Sequence, residues 1–435
     1  MRDSQEIKKI ADQYGTPTFI AWKNVIIENV RRFREVLCQY RGGSTLCYSA
    51  KTNPQVAILK MMAEQGISAA VCSVLDTTAA FRAGFSGERM IYVGLVKTDE
   101  GLEIAVKNNF RIINVESYDE VTRLAKIAEK HNKKVPVGIR LSFPSKTGIK
   151  SLLGVTYDRF GASVKSGEAR SIAEFIVKNP HLVLEGLHCH TGSNQTNEKN
   201  YLIGINHLVD FMRYLKEKHN VSISILNIGG GIGVPTIRAY SLVNLGVNFL
   251  KNMIGRPLRH VSNLQFSLPA MMKRIIDHLH QTLDRHNLSH PHLMMEPGRA
   301  LVGDGIDLVT RIVNEKRTEI RKWYMIDGGT NLLPALTLFS ESHDITVITD
   351  NRDSTMEKLS VAGPLLYSAD IVATNRFLPK ARIGDLIVVH DVGAYCGSQS
   401  NQFLYPRAAT ILVSGNTSTV IQKRESVEDV LSRDL

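Results

Sequence analysis

The stretch Cys47-Tyr48-Ser49-Ala50-Lys51-Thr52-Asn53-Pro54 reads as a short apolar strand, Leu46–Ser49, that breaks at Asn-Pro and leaves a lysine at its C-terminal end. Working outward, similar apolar runs recur at Ile67–Ser73, Met90–Leu95, Arg111–Val115, Val135–Leu141, Leu184–His190, Ile223–Ile228 and Leu293–Glu296. Amphipathic stretches such as Gln55–Gln65, Asp76–Ala83, Tyr118–His131 and Ser171–Lys178 lie between them. Eight strands alternating with helices predict an α/β fold, a (β/α)8 barrel. Polar motifs sit at the C-terminal ends of the strands, where such barrels keep their sites.

After about residue 300 the pattern changes. Leu308–Val313, Trp323–Ile326, Ile345–Thr349, Leu386–His390 and Ala409–Val413 are short β runs between Gly and Asp turns. They predict a second, mostly β domain of sandwich or barrel type, which also takes the N-terminal strand Pro17–Trp22. The expected division is therefore 25–300 for the barrel, and 1–24 with 301–435 for the β domain. The stretch 237–265 is long for a barrel loop and reads as a surface insertion, a lid or a partner contact.

The chain has 435 residues, 43% hydrophobic and 22% charged, as in an ordinary globular protein. It has no membrane-length apolar run and no secretory leader pattern. Five cysteines, Cys38, Cys47, Cys72, Cys189 and Cys396, are scattered without paired spacing and fit a reducing, cytoplasmic setting. The net charge of +11 is dispersed, without a dense basic block or interleaved aromatics, so nucleic acid is not an expected partner. A basic surface of this kind suits an anionic small molecule or an acidic carrier protein.

Three further strand ends carry chemistry. Gly186-Leu187-His188-Cys189-His190-Thr191-Gly192-Ser193 places two histidines two residues apart, on the same face of a strand. A ring against an aromatic cofactor, with Ser193 toward a phosphate, is the favoured reading; a metal pair and packed core histidines are the alternatives. No metal is expected. Asn227-Ile228-Gly229-Gly230-Gly231 lets backbone N–H groups close around phosphate oxygens. In Glu296-Pro297-Gly298-Arg299, Gly298 and Arg299 suit a phosphate. Glu296 suits a protonated pyridine nitrogen. In strand order, Lys51, His190, the glycine run and Glu296 describe a site for pyridoxal 5'-phosphate.

As a set, these motifs resemble the ornithine/diaminopimelate decarboxylase family, pyridoxal phosphate enzymes of fold type III, over roughly residues 15 to 415. Tyr48-Ser49-Ala50-Lys51-Thr52-Asn53 is similar to the family's Tyr-Ala-x-Lys-x-Asn and His190-Thr191-Gly192-Ser193 to its His-x-Gly-Ser. Gly393-Ala394-Tyr395 is similar to its Gly-Ala-Tyr. The resemblance implies that Lys51 is the Schiff-base lysine and that His190 lies on the cofactor ring. Ser193, Gly230, Gly231, Gly298, Arg299 and Tyr395 would lie near phosphate, and Glu296 at the pyridine nitrogen. It also implies a homodimer whose Gly-Pro-x-Cys segment completes the partner's site.

Two departures stand out. The family pattern Gly-Pro-x-Cys-Glu/Asp-x-x-Asp reads here Gly363-Pro364-Leu365-Leu366-Tyr367-Ser368-Ala369-Asp370, so Leu366 replaces the cysteine and Tyr367 the acidic residue. The Arg-Pro-Ala-Leu-Tyr of the diaminopimelate branch reads Leu333-Pro334-Ala335-Leu336-Thr337. Leu366, Tyr367, Asp370 and Arg299 are the expected substrate contacts. The expected activity is decarboxylation of a non-standard amino acid, or of an amino-acid conjugate linked to a carrier. Tyr367, Cys396, His190, Lys51 or water would donate the proton. The alternatives are racemisation, decarboxylation coupled to oxidation or carbon–carbon bond formation, and a non-catalytic pyridoxal phosphate-binding protein.

Overall fold

The computed structural model describes residues 2–142, 159–239, 246–247, 250–251, 256, 265–350 and 355–435. The chain divides into two compact units. One comprises Val30–Gly233 and Phe266–Gly298, the other Met1–Asn29, Val234–Gln265 and Arg299–Leu435.

The first unit is a closed parallel barrel. Its strands, in chain order, are Ser44–Ser49, Ser68–Val71, Met90–Tyr92, Ile112–Val115, Val135–Ser142, Leu182–His188, Ile225–Asn227 and His292–Met295. Each pairs in parallel with the next, and Leu293↔Ser44 closes the ring. All eight lie where the apolar runs place them. Covered on both faces, they need no polar alternation; Cys47, Tyr48, Ala69, Ala70, Val137 and Leu187 are fully buried. One expectation is corrected. The sixth strand stops at His188, so His190 belongs to the loop beyond it and does not share a strand face with His188.

The barrel helices have readable ends. Ser73 caps Val74–Arg82 through a reciprocal box with Asp76, and Ser117 caps Tyr118–Lys130. At their far ends Asn109, Asn132, Asn220 and Asn287 take left-handed φ values of 54°, 49°, 53° and 50°. Asparagine tolerates that turn better than other non-glycine residues.

The second unit is built on a mostly β sheet. Its main order is Ile371–Pro379, Met356–Ala362, Lys322–Ile326, Ile306–Arg317, Thr18–Trp22, Ala409–Ser414 and Thr417–Gln422. Leu386–Val389 joins Ile306–Arg317 and in turn pairs with Ile345–Ile348. A bulge between Ile312 and Asn314 breaks the long strand's register with Lys322–Ile326. The N-terminal strand is held centrally, antiparallel to one neighbour (Ala21↔Ile306) and parallel to the other (Thr18↔Ala409). Ile20, Trp22, Val309, Val388 and Ile411 form its core together with Ile7 and Ile10 of the helix Ser4–Tyr14.

Among the described residues no helix is long and apolar enough to cross a membrane. No group of three or more His, Cys, Asp or Glu residues is placed to hold a metal ion. The stretch 237–265 lies mostly outside the described residues.

Candidate active site

Four strand ends converge at one end of the barrel unit. The first strand runs into a single 3-10 turn, Ala50–Thr52, which carries Lys51. Ser49 N donates to Pro297 O at 3.2 Å, tying this turn to the end of the eighth strand. Tyr48 Oη donates to Asn53 O at 3.0 Å. Lys51 itself is exposed, and its charge acts on His190, Cys72 and Glu296.

Glu296 is buried at the end of the eighth strand, 7% exposed. Its Oε1 accepts from Asn227 Nδ2 at 2.6 Å and lies 3.5 Å from His188 Nε2. Burial pushes its pKa up, while the Asn227 hydrogen bond and the charges of Lys51 and Arg140 oppose the rise. His188 is fully buried, and neither ring nitrogen has a hydrogen-bond partner. Burial, then the charge of Arg140, keeps its imidazole neutral. His190 is neutral for a similar reason, with desolvation first and Lys51 and Arg140 next. Unlike His188 it keeps an accessible face.

The glycine run forms a cradle by contact with its neighbours. Glu296 N donates to Gly229 O at 2.8 Å, and Gln195 N to Gly231 O at 2.8 Å. A Cβ on Gly230 would stand 1.9 Å from Glu296 O, and one on Gly231 would stand 1.8 Å from Gly192 O. Only glycine lets these three loops touch. Tyr201, buried on the helix Lys199–His219, donates to Gly230 O at 2.6 Å and fixes the turn from outside. Ser193 lies exposed in the adjoining loop. Gly298 is equally constrained, with Thr52 Oγ1 1.9 Å from where its Cβ would be.

These residues fit pyridoxal phosphate. The cradle offers backbone donors, the neutral His190 ring offers a flat face, Lys51 offers an amine and Glu296 a buried acceptor. Several supporting groups escaped the sequence reading. Arg140 pairs with Glu116 at 2.5 Å, and Lys97 pairs with Glu120 at 2.7 Å; all four are buried. Asn227, which orients Glu296, was quoted only as the lead-in to the glycines.

The remaining expected residues lie in the second unit, and two expectations change. Asp370 was expected to touch substrate. It is 3% exposed, and its carboxylate accepts from Thr330 N (2.7 Å), Thr330 Oγ1 (3.0 Å) and Leu365 N (2.8 Å). It shapes the Gly363–Tyr367 turn from beneath, with both oxygens already engaged by these donors. Arg299 was expected as an anion-binding cation. Both of its terminal nitrogens are given to Glu341. Leu366 projects outward, 89% exposed. Tyr367 is 41% exposed; its hydroxyl lies 2.6 Å from Thr330 Oγ1 and its ring packs edge-on to Phe403. Leu333, where the family arginine would stand, is fully buried. Cys396 is also fully buried, and burial pushes its thiol pKa up to about 12, which argues against it as a proton donor. Tyr395 sits at φ 64°, its ring 5.4 Å from the Arg299 guanidinium.

Comparison with known proteins finds relatives along nearly the whole chain. A diaminopimelate decarboxylase of Zymomonas mobilis is 27% identical over 98% of this chain and 94% of its own length. The diaminopimelate decarboxylase of Methanocaldococcus jannaschii is 26% identical over 100% of this chain and 94% of its own. A crystal structure of the M. jannaschii enzyme matches with a TM-score of 0.85 at 26% identity, covering 98% of this chain and 94% of that one. Another crystal structure of it holds L-lysine. Residues 23–303 match the family described as "Pyridoxal-dependent decarboxylase, pyridoxal binding domain". A closed barrel with this strand-end constellation, matched over most of its length, places the chain in the pyridoxal phosphate-dependent ornithine/diaminopimelate decarboxylase family of fold type III.

Proposed function

We propose that this decarboxylase acts on a non-standard α-amino acid, or on an amino-acid conjugate linked to a carrier, rather than on meso-diaminopimelate. The observation that carries the reading is the composition of the expected substrate wall. Leu366 and Tyr367 stand where an acid and a charge would be, and Leu333 and Thr337 where an arginine and a tyrosine would be. Such a wall would leave a distal ammonium or carboxylate without a partner, which is costly once the group is desolvated. The relatives named for diaminopimelate share the scaffold at 26–27% identity, a distance at which substrate choice can change within one fold.

When bound, pyridoxal phosphate supplies an electron sink for the carbanion left at the substrate α-carbon. Lys51 Nζ would hold the cofactor, with Gly230, Gly231, Gly298, Ser193 and Tyr395 around its phosphate. His190 would lie against its ring. Glu296, oriented by Asn227, would hold the proton on the ring nitrogen. The proton returned to the product would come from His190, Lys51, Tyr367 or water. In a homodimer the exposed Leu366 and Tyr367 would complete the partner's site.

The test is carbon dioxide release from ornithine, lysine and meso-diaminopimelate beside a panel of α-amino acids with apolar, aromatic or carrier-linked distal groups. The expected result is turnover only in the second set. Efficient use of meso-diaminopimelate would overturn the substrate assignment.

A further inference from the structure

Arg299 leaves the Glu296-Pro297-Gly298 turn as a permanent forked cation, a group suited to receive a carboxylate or phosphate. In this chain the fork is already full. Nη1 donates to Glu341 Oε2 at 3.0 Å and Nη2 to Glu341 Oε1 at 2.5 Å. The two side chains are 4% and 2% exposed. Glu341 is set by the short strand Glu341–Ser342, paired with Arg238–Ala239. His343 stands behind it. Its Nδ1–H donates to His390 O at 2.9 Å, which directs Nε2 to within 3.6 Å of Glu341 Oε2. Burial opposes the Glu341 charge, yet His343 and Arg299 together hold its carboxyl below the usual carboxylate range. The pair is therefore ionised and neutral in sum, and of the guanidinium nitrogens only Nε lacks a hydrogen-bond partner.

We propose that Glu341 is a specificity-determining residue, whose carboxylate occupies the Arg299 fork in place of one carried by a substrate. The inference rests on the reading of this chain as an amino-acid decarboxylase and deepens it. A substrate with a distal carboxylate would have to displace Glu341 and leave it buried without its partner. Breaking a buried pair in that way is more unfavourable than a new bidentate contact is favourable. The site therefore selects substrates whose distal part carries no negative charge. This agrees with Leu333 and Thr337, which likewise offer nothing to an anion.

The test compares wild type, Glu341→Ala, Glu341→Gln and the double variant Arg299→Ala/Glu341→Ala. Glutarate, a dicarboxylate without an amine, is titrated calorimetrically into each cofactor-loaded protein. Carbon dioxide release from 2-aminoadipate and from neutral amino acids is measured alongside. Glu341→Ala is expected to bind glutarate about 10- to 100-fold more tightly than wild type, the range for a charge-assisted pair of hydrogen bonds. The gain should vanish in the double variant, and the KM for 2-aminoadipate should fall relative to that for neutral substrates. If the unpaired arginine keeps Glu341→Ala from folding, Glu341→Gln preserves the shape and should show a smaller gain in the same direction. Equal glutarate affinity in wild type and both folded single variants would overturn the proposal. So would tight, Arg299-dependent binding in wild type. Absence of carbon dioxide from every amino acid would instead sink the decarboxylase reading, while the glutarate titration would still report on Glu341.

Discussion

Replacing Glu296 with glutamine separates two roles that carry opposite signs. The folded pKa of Glu296 is raised, chiefly by burial, with Asn227 and Lys51 offsetting only part of the rise. In the apoprotein its stability contribution is therefore intact below the unfolded carboxylate pKa. It is lost progressively as pH rises from there through the folded pKa. Glutamine abolishes that loss and can still accept from Asn227. The variant apoprotein should be at least as stable as wild type at neutral pH, and its stability should vary less over the acid-to-neutral range. Catalysis should move the other way, because glutamine cannot hold a positive charge on the ring nitrogen. Removing one charged contact at a reacting system costs about 3–4 kcal/mol, or roughly 10²- to 10³-fold in rate. Urea unfolding of apoprotein at several pH values reads the first effect. Carbon dioxide release at full cofactor occupancy, checked by absorbance, reads the second. A rate within about threefold of wild type, less than 1 kcal/mol of barrier, would refute the assignment. A less stable apoprotein at neutral pH would refute the account of its burial.

Three other outcomes are expected. Lys51→Ala should lose the yellow cofactor absorbance and all turnover; a borohydride-reducible cofactor linkage surviving in that variant would place the attachment elsewhere. Asp370→Ala should lower stability by about 3–5 kcal/mol, since it leaves two buried backbone N–H groups without acceptors. A stable variant with only a raised KM would restore Asp370 as a substrate contact. Mixing inactive Lys51→Ala with inactive Tyr367→Ala should return part of the activity if sites are shared across a dimer. No recovery after demonstrated subunit exchange would argue against sharing.

The barrel was legible because a strand covered on both faces leaves a continuous apolar run, and each run here ends on a motif. Strands of the second unit were harder. Met356–Ala362 and Thr417–Gln422 carry exposed polar or charged positions, and Ile371–Pro379 mixes half-buried Thr374 and Arg376 with an exposed Phe377, so their runs look like loops. The candidate site residues were readable from local spacing. Their supports were not, because Arg140 meets Glu116 from 24 residues away and Arg299 meets Glu341 from 42. Each of those side chains, seen alone, resembles an ordinary surface charge. Asp370 misled for the same reason, since Thr330, the residue that explains it, lies 40 positions earlier. His190 shows the converse error, in which a two-residue alternation was extended past the end of its strand.

The central place of Thr18–Trp22 in the second unit bears on how the chain is made. The strand is synthesised before the barrel, yet its parallel neighbour begins at Ala409, 391 positions later. Throughout synthesis of the barrel it has neither neighbour and presents two open edges, a template for misplaced pairing. Closing so long a loop is slow even when its free-energy penalty is modest. The barrel, whose neighbouring strands mostly follow one another in the chain, can close first. The unit that holds Arg299, Glu341 and the Gly363–Asp370 turn cannot complete its central pairing until Ala409–Ser414 has been made, and until then Thr18–Trp22 is the edge of the chain most open to misplaced pairing.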